Sequence, residues 1–341
     1  MALRHALSDC LRNAVSVSVT LFRVMIPIII LVKVLRELEL IAYLAVPLAP
    51  VMELVGLPPS MGLVWATALL NTVYSSMVVF VSLAPEAGLT VAQTTVLCTM
   101  LLIAHGLPVE LKIAQQCGVS MLGQGLIRVG AALACGLVLH GVFDGFGLLQ
   151  QPGGVFWTPG EEPATLAGWA LGEVRNLAAI FCIIFVLMLA MRLLEWLRVT
   201  DLLQYLLRPV LRRMGIGPQA STVTIVGLAL GLSYGSGLII HESRSGRIGQ
   251  RDLFHSLTLM GLAHALIEDT MLMLLLGAHL GGVFWGRLLF SLVFMALLLR
   301  VTTAMSDAAF ARAFMRRGVA PAPAAAPAAA AENATRADDI S

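Results

Sequence analysis

Five side chains in this sequence could exchange protons or hold polar ligands from within long apolar runs. His105 and Glu110 lie in "AHGLPVE" (104–110); His264, Glu268 and Asp269 lie in "AHALIEDT" (263–270). An imidazole close to carboxylates can pass a proton, bind a solute or lock helices together. An acidic group at the centre of a membrane helix costs about 2.5–3.5 kcal/mol on insertion scales. Such a group therefore faces water, a partner or a ligand, and a functional site is the default reading. Pro108 removes an amide donor and crowds the carbonyl of Ala104, so the helix is expected to open there. In the second stretch Ile267 stands where Pro108 would fall, and the spacing predicts His264 and Glu268 on one helix face. All five residues are metal-ligand types. No recognised metal-ligand spacing occurs, so neither a metal nor a cofactor is expected. No catalytic motif occurs either, and the chain is not expected to be an enzyme.

The two stretches belong to one internal repeat. His105 and His264 are 159 positions apart, and so are Pro50 and Pro209, Gly56 and Gly215, Pro59 and Pro218, Glu110 and Asp269, Gly118 and Gly277, and Arg128 and Arg287. One gap-free offset over that length is a duplication. Arg128 and Arg287 begin apolar segments. Snorkelling at a helix end is the default for them; capping freed carbonyls, or pairing with Glu110 and Asp269, is the alternative.

The elements that must carry these residues are membrane helices. The chain is 58% hydrophobic and 12% charged, with mean hydropathy +0.89, whereas soluble domains carry about 25% charged residues. The polar start leads into a full-length apolar segment, which reads as an uncleaved anchor. The first copy has apolar segments near 14–35, 59–83, 91–116 and 121–143, and the second near 175–197, 218–240, 252–276 and 282–303. The stretches 37–55 and 198–214 read as amphipathic helices on the membrane surface. Cys10, Cys98, Cys117, Cys135 and Cys182 are scattered without a CxxC, so a disulfide framework is not expected.

Charge gives an orientation. Arg4 and Arg12 precede the first segment, Arg198, Arg208, Arg212 and Arg213 lie in 198–214, and Arg312, Arg316 and Arg317 follow the last segment. These regions should be cytoplasmic. The linker 144–174 carries Asp144, Glu161, Glu162 and Glu173 without Lys or Arg, and should be outside. Each copy then crosses an odd number of times with four segments, so one segment turns back and the copies are inverted. Making the second segment the re-entrant one satisfies the charge rule. Its polar middle is "NTVYSS" (71–76) in copy one and "GLSYGSG" (231–237) in copy two. Asn71, Ser75, Ser76, Ser233 and Ser236 there could donate hydrogen bonds to a ligand, or could simply pack helix on helix.

The stretches "IPIIILVKVL", "GLPPSMGLVWATALLNTVYSSMVVF", "AHGLPVE", "GLSYGSGLIIHESRSG" and "AHALIEDT" resemble the nucleoside-recognition, or Gate, domain family. That family includes spore maturation membrane proteins, the gate modules of ferrous-iron permeases and, distantly, concentrative nucleoside transporters. The resemblance covers about residues 14–303 and implies hairpins and broken helices. It does not fix a cargo, and no GxxxxGK[ST] GTPase motif is present.

The expected fold is therefore an all-α polytopic membrane protein of two inverted gate repeats, each with about three spanning helices, an interfacial amphipathic helix and a re-entrant hairpin. The division is a cytoplasmic N-terminus (1–13), repeat 1 (14–143), an outer linker (144–174), repeat 2 (175–303) and a disordered cytoplasmic Ala/Pro tail (304–341). The expected location is the inner membrane. The function read from these residues is transport of a small polar solute, nucleoside-like in one reading. His105, Glu110, His264, Glu268 and Asp269 would bind it or exchange a proton. A non-transporting scaffold or regulator and a divalent-metal permease are the alternatives. Partners are the lipid bilayer and a small solute or ion, with a homo-oligomer left open; a net charge of +2 does not suggest nucleic acid.

Overall fold

The computed structural model describes residues 2–154, 165–214, 216–230, 239–243, 245–246 and 248–316. Among them the chain is helical, and its only extended pairings are two isolated bridges. Six helical stretches are long and apolar enough to cross a membrane: Ala14–Glu37, Val91–Gln116, Met121–Gly145, Leu166–Ala190, Gln250–Leu275 and Gly281–Ala304. They divide three to each copy of the repeat.

Repeat 1 begins with α1 (Ala2–Glu37). The expected surface helix is three short pieces instead: α2 (Leu40–Ala45), a single 3₁₀ turn (Val46–Leu48) and α3 (Ala49–Leu54). Pro47 and Pro50 remove two amide donors within four residues, so a continuous helix cannot be sustained. Next come α4 (Met61–Leu70) and α5 (Val73–Ala87). At 1.5 Å per residue these are about 15 and 22 Å long, and neither crosses a core of about 30 Å. They pack against each other, so the chain enters and turns back. The turn lies at Asn71 and at Thr72, whose extended backbone ends one helix and whose hydroxyl accepts from Ser75 N to start the next.

The third segment is split into α6 (Val91–Ile103) and α7 (Leu107–Gln116), and α8 (Met121–Gly145) closes the repeat. In repeat 2 the described helices are α9 (Leu166–Trp196), α10 (Val199–Arg213), α11 (Pro218–Leu230), α12 (Gln250–Ala263), α13 (Glu268–Leu275) and α14 (Arg287–Ala304). A π-wound stretch, Gly281–Gly286, leads into α14. Residues 231–238, with Ser233 and Ser236, lie outside the described residues, as do 317–341.

Two boundaries differ from expectation. Helix α9 starts at Leu166, nine residues before the expected 175, because Thr165 Oγ1 accepts from Gly168 N at 3.1 Å and caps it. Glu173, expected in the outer linker, lies instead within that helix. The expected tail also begins later than position 304. Asp307–Phe314 form α15, capped by Ser306. Arg251 binds Asp307 Oδ1 and the carbonyls of Thr302 and Met305, and Phe310 is buried against Phe254.

The first helices of the two repeats run antiparallel. Lys33 lies over the Trp169 ring, while Ile29, one turn earlier on α1, shares a cleft with Glu173, Asn176, Ile180 and Ile183, farther along α9. Advancing on one helix is retreating on the other, as inverted repeats require. α1 and α9 form the lipid-facing rim: only 19% and 6% of their apolar windows are buried, against 56% and 78% for the broken third segments. Those broken segments are the centre of the molecule.

Gly118 and Gly277, repeat mates that end the third segments, have φ of +85° and +87°. A Cβ on Gly277 would lie 2.2 Å from the Gly154 carbonyl oxygen. Gly277→Ala therefore combines a left-handed backbone, about 1–2 kcal/mol, with a clash against backbone. It is expected to lower stability by at least about 2 kcal/mol, read as the thermal midpoint in detergent. An unchanged midpoint would mean that this turn is not tied to the linker.

Candidate functional site

The site is built where two helices break. α6 ends at Ile103, and α7 resumes at Leu107 with Pro108 in its first turn, where a missing amide proton costs nothing. Gly106 bridges the gap with φ +58°. α12 ends at Ala263, and α13 resumes at Glu268 without a proline; Ala265 takes φ +46°, unusual for a residue with a Cβ. A proline is therefore not required for such a break. Each break is instead held from two sides. The hairpin's first arm accepts an amide proton from it: Gly106 N donates to the Ala68 carbonyl at 2.9 Å, and Leu266 N to the Leu228 carbonyl at 3.1 Å.

From the other side comes a buried arginine. Arg128 Nε donates to the Ile103 carbonyl and Nη2 to the His105 carbonyl, at 3.1 and 3.2 Å. Arg287 does the same one repeat later, to Leu262 and His264 at 3.0 and 2.9 Å. Carbonyls freed by a break inside a membrane must find donors, and these two side chains supply them. Snorkelling is overturned: Arg128 is 2% and Arg287 0% exposed. Arg287 Nη2 also crosses the repeat boundary to the Leu102 carbonyl at 2.9 Å.

The breaks aim two histidines at each other. His105 Nδ1 donates to the Leu101 carbonyl at 2.8 Å, and His264 Nδ1 to the Met260 carbonyl at 2.9 Å. A carbonyl only accepts, so each Nδ1 carries a hydrogen, and each neutral ring presents a lone pair at Nε2. The two Nε2 atoms are 3.1 Å apart. Glu110 Oε1 stands at 3.3 Å from His264 Nε2 and 3.7 Å from His105 Nε2. Its other oxygen, Oε2, accepts from Arg128 Nη1. Two imidazole nitrogens and one carboxylate oxygen thus converge.

The second copy is not closed in the same way. Asp269 holds the position of Glu110 but is one methylene shorter. Its Oδ2 and Arg287 Nη1, the counterparts of the Glu110–Arg128 pair, are both buried without a hydrogen-bond partner. Ligand atoms of His105, His264 and Asp269 lie within 4.8 Å of one another, the spacing of a set that could hold a metal ion.

Glu268 lies apart from the histidines' contact. The break separates it from His264, so the expected shared helix face does not exist. Its Oε1 accepts from Tyr74 of the first hairpin at 3.2 Å, a cross-repeat link. Tyr74 sits in the polar hairpin stretch, where the sequence marks only amides and hydroxyls of Asn and Ser as candidates. Of the hairpin residues, Ser76 Oγ donates to the Val73 carbonyl at 2.7 Å and Ser75 bonds Thr72. Both are fully buried and serve the turn itself. Asn71 ends α4, with its carbonyl near Gly106. Tyr74→Phe removes the donor from a carboxylate; a hydrogen bond to a charged group contributes about 1.5–3 kcal/mol. The loss is expected in Tyr74→Phe and absent when Glu268→Ala is already present, measured as a double-mutant cycle of unfolding. Additive losses would mean that the two groups do not meet.

Among curated proteins the chain is similar to the uncharacterized membrane protein YvoD of Bacillus subtilis (strain 168), with 26% identity over 295 residues that cover 84% of this chain and 87% of YvoD. No family model matches, and no solved structure matches. Six spanning helices and a membrane-protein relative of nearly full length agree. This chain is a multi-pass membrane protein. It contacts the lipid bilayer along the apolar faces of its rim helices.

Proposed function

We propose that the protein is a transporter of a small polar solute, working from the junction of its two broken helices. The observation that carries this is the meeting of His105 and His264, 159 residues apart, at 3.1 Å between helix breaks. Ionisable groups are kept at membrane depth at high cost, and broken helices at a repeat interface are where transporters bind solutes and ions. The hairpin tip reaches the same region through Tyr74 and Glu268. The likeness to nucleoside-recognition, or Gate, domain proteins supports the same reading, with nucleoside-like solutes as one class to test. Both termini are assigned to the cytoplasm of an inner-membrane protein, on the arginine distribution.

A panel of nucleosides, nucleobases and small carboxylic acids, scored by thermal shift on protein in detergent, tests the reading. A solute present at about 100 times its Kd stabilises by about 2.7 kcal/mol. At least one class is expected to raise the midpoint of the wild type and not that of Glu110→Gln. Silence across the panel would favour a non-transporting scaffold.

A further inference from the structure

We infer that His105, His264, Glu110 and Asp269 form a binding site for one divalent transition-metal ion of the Zn²⁺, Fe²⁺ or Co²⁺ type. The inference rests on the reading of the helix junction as the ligand site, not on transport itself. Its first support is the convergence of acceptors. Two imidazole nitrogens and a carboxylate oxygen face one point, 3.1, 3.3 and 3.7 Å from one another. Two nitrogens bound to one tetrahedral ion at the usual Zn–N length of 2.0–2.1 Å lie about 3.3–3.4 Å apart. The observed spacing is within a few tenths of an ångström of that.

The surroundings also match. Metal-ligating histidines donate their other ring N–H to a carbonyl or carboxylate, which fixes the tautomer; both histidines here do so, to Leu101 and Met260. A ligating carboxylate is itself held by a donor; Arg128 holds Glu110 by Oε2 and leaves Oε1 turned to the histidines. Asp269 supplies the independent pointer. It is 8% exposed, its Oδ2 is without a partner, and with His105 and His264 it forms a set whose ligand atoms lie within 4.8 Å of one another.

Ligand chemistry selects the ion. A metal ion held by His105, His264 and Asp269 would engage both Nε2 atoms and the Asp269 carboxylate, with Glu110 Oε1 standing 3.3 Å from His264 Nε2. Imidazole nitrogens favour zinc, iron, cobalt or nickel over magnesium and calcium, which take oxygen shells. The Glu110 side chain is 12% exposed and the His105 side chain 10%.

The test uses the full chain in detergent, purified without a histidine tag, stripped by chelator and titrated with Co²⁺. The expected result is saturation at one ion per chain, with the visible bands of nitrogen- and oxygen-ligated cobalt, displaced by Zn²⁺ and not by Mg²⁺. His105→Gln and His264→Gln should each weaken binding by more than the roughly 10–100-fold that outer partners contribute, and His140→Gln should not. Should the histidine variants fail to fold, X-ray absorption on zinc-loaded wild type decides. Imidazole scattering at about 2.0 Å supports the site, and an all-oxygen shell overturns it. Absence of cobalt bands, or bands that survive in the double histidine variant, also overturns it. Binding without solute uptake, or uptake without metal binding, separates this inference from the transport reading.

Discussion

Arg128→Met is expected to lower the protein's stability by about 3–5 kcal/mol, the usual cost of removing one partner of a buried ion pair. The side chain is 2% exposed and does two jobs. It neutralises Glu110, and it donates to the carbonyls of Ile103 and His105 that the helix break sets free. Without it, a carboxylate and two carbonyls are stranded at membrane depth. Adding Glu110→Gln to Arg128→Met removes the stranded charge and should restore part of the loss, leaving the carbonyl contribution. Arg287→Met should cost less. Arg287 has the matching carbonyl bonds, but its Nη1 has no partner and Asp269 does not reach it. Thermal midpoints of the four proteins in detergent check this. An Arg287 variant as unstable as the Arg128 variant would mean that the two halves are closed alike.

Neutralising the carboxylates is expected to act on function instead. Under the proposed transport function, Glu110→Gln and Asp269→Asn should each abolish uptake driven by a pH gradient into proteoliposomes. One charge moved through the field contributes about 2.3 kcal/mol per 100 mV, enough for roughly 50-fold accumulation of solute. The variants should fall to no accumulation. The side-chain amide in Glu110→Gln keeps an oxygen that can accept from Arg128, so insertion and elution are expected to match the wild type. Normal accumulation by both variants would remove these residues from the mechanism.

Much of this arrangement was legible in the sequence because the duplication carries it. A constant offset of 159 pairs His105 with His264, and the arginine distribution implies that the copies are inverted. Those two facts bring the histidines together before any coordinates are known. The three spans per copy and the first hairpin follow from the same bookkeeping. The role of the arginines was not legible. An arginine near the start of an apolar segment looks the same whether it snorkels or turns inward, and only the position of the neighbouring break decides. The break before Pro108 was legible from the proline, whereas the break at Ala265 in the second copy has no proline to mark it. The candidate metal set was legible only as residue types. Ligand motifs are read as short spacings, and these ligands come from two helices in different repeats. The early start of α9 was hidden by Glu173, a charged residue within the helix. Tyr74 was passed over because an aromatic residue in an apolar run carries no mark of a partner nearly two hundred residues away.

The central claim is that inversion of two copies brings the broken helices face to face. Cysteines placed at 105 and 264 in an otherwise cysteine-free chain test it most directly, using a short bifunctional thiol reagent on protein in native membranes and mass spectrometry of the digested product. The expected result is one intramolecular 105–264 cross-linked peptide in high yield, with control pairs such as 105 with a cysteine at position 301 giving none. Recovery of only singly modified 105 and 264 peptides, in protein that is folded and reactive at both sites, would contradict it.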